Sequence, residues 1–169
     1  SFTFRVNDGL TNSAIATVSI SVAAVNDAPV AAGQSVLTAE DTAKAIALVG
    51  SDVEGSALTY IIIAAPAHGT LSGAAPNLTY TPAANYNGAD SFTFKVNDGT
   101  VDSATATVSS TVTAANDAPV ANAQTVTAPE DTAKLITLSG SDVEGGALTY
   151  IVVTAPAHGT LSGTAPNVT

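Results

Sequence analysis

Shifted against itself by 90 positions, the chain aligns without a gap, and about 55 of the 79 overlapping positions are identical. "SFTFRVNDG" at 1–9 meets "SFTFKVNDG" at 91–99. "GSDVEGSALTYI" at 50–61 meets "GSDVEGGALTYI" at 140–151, "APAHGTLSG" at 65 returns at 155, and "NDAP" at 26 returns at 116. A unit that recurs at a fixed interval makes one supersecondary block per period, and the chain is a tandem array of such blocks. Identity this high speaks of recent duplication, so it does not by itself single out the residues that matter.

The register divides the chain into three. Residues 1–27 read as the C-terminal strands of a preceding repeat, 28–117 as one complete repeat, and 118–169 as the N-terminal part of the following one. Carrying the period forward, the 11 residues equivalent to Tyr80–Asp90 separate Thr169 from the next expected "SFTF". No secretory leader is visible, and the chain opens in what reads as mid-strand, so an excerpt of something longer is expected.

Within one period no stretch keeps an apolar stripe at i, i+3, i+4, i+7 behind a helix cap. Short runs rich in Val, Ile, Thr, Phe and Tyr, bounded by Gly, Pro, Asn and Asp, recur instead. Seven strands are predicted, at 34–38, 43–49, 57–64, 69–72, 77–81, 91–97 and 103–113. Phe92, Phe94 and Val96 alternate with Thr93 and Lys95, which gives one buried and one wet face. Seven short antiparallel strands in about 90 residues fit a β-sandwich of immunoglobulin type. The expected fold is all-β: tandem seven-stranded immunoglobulin- or cadherin-like sandwiches stacked end to end.

Charge narrows the partners. The formal net charge is −10, and the only basic residues are Arg5, Lys44, Lys95 and Lys134. Such a chain repels nucleic acid and anionic membrane surfaces, and its natural small partners are cations. There is no cysteine, so disulfides contribute nothing and the compartment stays open on that count. No apolar run approaches the roughly 20 residues of a membrane helix, so membrane insertion is not expected.

If the strands run up and down, the connections alternate between two poles. Glu40 and Asp41, His68, and the loop with Asn85, Asn87 and Asp90 fall at the bottom. Asp52 and Glu54, and then Asp98 and Asp102, fall at the top. When repeats stack, the bottom of one faces the top of the next. That would bring Glu40, Asn85, Asn87 and Asp90 toward Asp117 from one side, and Asp142 and Glu144 from the other. Gathered carboxylates repel, and a divalent ion reverses the sign. Oxygen ligands without His or Cys favour Ca²⁺ over zinc or copper, and suit it better than magnesium. Between the poles, Asn-Asp-Ala-Pro is a short stiff joint, because proline fixes its own φ and holds the residue before it extended. The plainer reading also stands: Asp-Gly and Asn-Asp are ordinary turn formers.

The whole repeat resembles the cadherin-like repeats of large bacterial surface and secreted proteins. "SFTFKVNDGTVDSATATVSSTVTAANDAP" resembles the end of a cadherin domain, "GSDVEGGALTY" its acidic loop before a Leu-x-Tyr strand, and "PEDT" at 129–132 the acidic site near its start. The resemblance implies Ca²⁺ between successive domains, with the ligand role falling to Glu40, Asp52, Glu54, Asp98 and Asp117 and to the copies Asp27, Glu130, Asp142 and Glu144. The sequence departs from that pattern. Ala24 and Ala114 stand where an acid is expected, the second linker Asn is missing, and neutral "NYNG" replaces an acidic segment. Weak affinity follows, on the order of 0.1–1 mM.

The remaining motifs point to no chemistry. His68 and His158 sit in Pro-x-His-Gly turns, where they are read as turn residues. No Ser-His-Asp constellation emerges from the order of the chain, so an enzyme is not expected. "NLT" at Asn77 and "NVT" at Asn167 match the glycosylation pattern and are read as plain sequence. The expected function is a structural extender of a long extracellular adhesin or surface fibre, supporting cell adhesion, with Ca²⁺ setting joint rigidity. Neighbouring repeats are the first partners, and a host or cell-surface ligand would act through other domains. The alternatives are a filament subunit that associates head to tail by strand complementation and a module binding a glycan or protein, for which the loops offer only Tyr86 as an aromatic.

Overall fold

A computed structural model describes all 169 residues and contains strands and turns without a helix. The alternation in "SFTFKV" decides the centre of the molecule. In β10 (Gly88–Asn97), Asp90, Phe92, Phe94 and Val96 face inward and are buried, with Ser91, Thr93 and Lys95 on the other face. In β11 (Ala106–Thr113) every second residue is buried in the same way: Ala106, Val108, Ser110 and Val112. These two strands pair antiparallel, with Phe92 opposite Val108. Burial of each such apolar side chain contributes about 1.5–3 kcal/mol.

The other strands complete a sandwich around them. One sheet has the order β4 (Gln34–Ala39), β11, β10, β7 (Thr59–Ala64). The facing sheet is built from β5 (Lys44–Ala47), β9 (Asn77–Pro82) and β8 (Gly69–Ala74), and a short pair joins β3 (Val30–Ala32) to β6 (Val49–Ser51). Ile46, Leu48, Leu78 and Tyr80 meet Phe92, Phe94, Val96 and Val108 between the layers. All pairs are antiparallel except β4 with β11, which run parallel. First and last strand therefore point the same way, and the chain enters at one pole and leaves at the other.

The strand expected at 34–38 is β4, and the short β3 ahead of it was not expected. Gly33 separates the two, where the chain leaves the β6 side and joins β11. A Cβ there would meet the Thr107 carbonyl oxygen at 3.0 Å. The strand expected at 43–49 divides at Leu48, whose amide donates to the Pro76 carbonyl while its side chain enters the core. The last strand starts at Ala106 rather than 103, because Ser103 is tied back to Val96 through both its backbone and its hydroxyl.

The flanking segments carry the same sequence without an opposing sheet. β1 (Phe2–Phe4) and β2 (Ala16–Val18) repeat the β10–β11 pairing, yet Phe2 and Phe4 are 55% and 47% exposed where Phe92 and Phe94 are 1% and 0%. After residue 118 come β12 (Val120–Ala121), β13 (Ile136–Thr137), β14 (Gly140–Ser141), β15 (Gly163–Thr164) and β16 (Asn167–Val168), paired as short pieces of the same pattern.

Candidate functional site: the joints between repeats

Each Asn-Asp-Ala-Pro linker is bound through its backbone. At the first joint the Asp27 amide donates to Glu54 Oε2 at 3.2 Å, and Asn26 Nδ2 donates to Asp98 Oδ2 at 2.8 Å. At the second joint the Asp117 amide donates to Glu144 Oε2 at 3.3 Å, the same bond one period later. Glu54 and Glu144 reach the linker because the Asp-Val-Glu-Gly loop is fixed from inside. Asp52 Oδ1 accepts from Ser56 N, Asp142 Oδ1 from Gly146 N, and each loop closes through a Gly at positive φ. Asp98 is held in its own turn by the amides of Thr100 and Val101. The bond from Val101, then those from Asn26 and Thr100, hold its carboxyl well below the usual carboxylate range.

The opposite pole grips the linker from the other side. Glu40 is 3% exposed, and its Oε1 accepts from the Ala115 amide at 2.6 Å. Its copy Glu130, in the partial repeat, is exposed. Asp41, at φ 55°, accepts from the Asn85 amide through Oδ1 and so ties two bottom loops together. Asp90, expected at the joint, is instead a core residue. Its carboxylate accepts from Tyr80 Oη at 2.9 Å and from the amides of Ala67, His68 and Ser91 at 2.8–3.0 Å. Burial works against its charge, but these four bonds outweigh it and keep the carboxyl below its ordinary range. The Tyr80 phenol is pushed up by burial and then by its bond to Asp90. Gly69 leaves room for that phenol ring, since a Cβ there would also lie 2.7 Å from the Thr81 carbonyl oxygen.

The donors suit a hard cation in kind, because all are carboxylate or amide oxygens. Two carboxylate oxygens, Asp52 Oδ2 and Asp117 Oδ2, are buried without a hydrogen-bond partner. In number they fall short. No three Asp, Glu or His side chains are gathered closely enough to hold an ion, whereas calcium takes about 6–8 oxygens. As arranged, the residues do not form a calcium cage.

The profile of a family described as Bacterial Ig domain matches residues 26–111 and again residues 116–169. The chain belongs to the bacterial Ig domain family. The paired matches fall on the two copies of the 90-residue unit, and the immunoglobulin-type sandwich expected from the strand pattern is the family's fold. A curated relative, Integrin beta-like protein A of Dictyostelium discoideum, is 34% identical over 140 residues, which is 70% of this chain and 7% of that protein. Among solved structures, an endo-fucoidan hydrolase of glycoside hydrolase family 107 and a variant of it align over 99% of this chain and 28% of theirs. Both are 25% identical, with TM-scores of 0.42–0.43. This chain thus spans a small part of each of these proteins.

In these Ig units the residues marked from the sequence separate by what they touch. Glu40, Glu54, Asp98 and Glu144 touch a linker, and Asp27 and Asp117 lie in one. Asp52 and Asp142 brace the loop that does the touching, and Glu130 stands alone. What sequence reading missed is that the linker's backbone amides are the partners. The only available signal was the spacing, an acid 27 residues after each linker Asp. The loop aromatic is also spoken for. Tyr86 stacks on His68 with centroids 4.2 Å apart and planes 5° from parallel, and its hydroxyl donates to the Ala89 carbonyl. His68 thus serves the packing of its turn.

Proposed function

We propose that this chain is a non-catalytic spacer segment of a long extracellular adhesin or surface fibre, in which Ig units joined end to end set the reach of other, adhesive domains. The observation that carries this reading is the repeated bond between linker and following unit, Glu54 to Asp27 and Glu144 to Asp117, which fixes the exit direction of the chain in the same way at each period. Calcium is not needed for this reading, and the free oxygens of Asp52 and Asp117 belong to different joints, one to each.

A second reading, head-to-tail association, is favoured by one observation. Beside Ile136, Leu138, Tyr150, Val152 and Val168 lies a groove of about 560 Å³, on the strands equivalent to those that β10 covers in the complete unit. Phe2 and Phe4, exposed on β1, repeat the residues that β10 inserts there. Sedimentation velocity separates the two readings. A monomer with a high frictional ratio at every concentration supports the spacer. Mass that grows with concentration supports strand complementation, and a monomer with the frictional ratio of a sphere rejects both. The same run with and without calcium reads the ion's contribution.

A further inference from the structure

We infer that the joint between repeats is a two-sided, metal-free clamp on the linker backbone, in which a carboxylate from each unit holds one amide. The amides of Ala115 and Asp117 lie two residues apart, and in an extended chain such amides point to the same side. Glu40 of the complete unit takes the first at 2.6 Å, and Glu144 of the following unit takes the second at 3.3 Å. The Asn116 amide between them has no partner, while its side chain donates to the Asp117 carbonyl.

Two features argue that this is a device rather than chance contact. The half of the clamp made by Glu144 is present at both joints, as Glu54 on Asp27. Each bond occupies one carboxylate oxygen, at a joint with no three-acid cluster. A hydrogen bond to an ionised acceptor is about twice as strong as a neutral one. The clamp therefore gives each joint a preferred geometry without an ion, and it requires the acids of two successive units to meet one linker. Its partner class is specific: another unit with an acid at the position of Glu54.

The inference builds on the spacer reading but can fail separately from it. The test is amide hydrogen exchange on the whole chain, first in EDTA and then in millimolar calcium. The clamp predicts a slow, fast, slow pattern at Ala115, Asn116 and Asp117, with the slow amides retarded on the order of tenfold or more, alike in both buffers. Glu144→Ala should free the Asp117 amide alone, and Glu40→Ala the Ala115 amide alone. The Phe94 amide stays protected in both as the sign that the core is folded. If Glu40→Ala unfolds the unit, Glu144→Ala, on an exposed side chain, still decides. Equal exchange at the three amides in EDTA, or protection that arises only with calcium, overturns the clamp. A spherical chain with the slow, fast, slow pattern would instead reject the spacer and leave the clamp standing.

Discussion

Asp90 shows how far residue type alone can mislead. It is acidic, precedes a strand and follows an Asn-rich loop, and by pole counting it belongs at the joint. Four donors draw it inward instead, and the deciding one is Tyr80 Oη, which needs a partner when buried. Asp90→Asn removes the charge and faces amide hydrogens toward at least one donor, so the unit should lose about 2–4 kcal/mol. Its carboxyl lies below the ordinary value near 3.8 in the folded state. This contribution is therefore complete above that value and is lost as the pH falls through the lower folded one. Urea unfolding at neutral and acid pH reads both effects. An unchanged midpoint in the variant would mean that the four bonds contribute nothing net.

At the scale of strands, period-two alternation made β10 and β11 legible, and the runs at 57–64, 69–72 and 77–81 matched strands within two residues. The breaks were not legible. A switch between sheets at Gly33 depends on the close approach of Thr107, and the kink at Leu48 depends on Pro76. Both contacts lie far away in sequence. The joint was half legible: the acids were found, but backbone amides leave no mark in a sequence, so a cation was the natural occupant to expect. Phe94 is fully buried between the sheets, so Phe94→Ala should cost about 3–5 kcal/mol. A denaturant midpoint checks this, and an unchanged midpoint would mean that the ring contributes no net packing.

At the scale of the molecule, the account rests on reach. Stacked units with a few-residue joint advance about 35–45 Å per period, and a net charge of −10 disfavours collapse of one unit onto the next. The clamps hold direction from each unit to its neighbour. Small-angle scattering in EDTA tests this most directly. A compact chain of this length would have a radius of gyration of about 15 Å. Two periods end to end, about 80 Å long, would give roughly 23 Å. The account predicts the larger value, changed little when calcium is added. A value near the smaller one, or extension seen only with calcium, would contradict it.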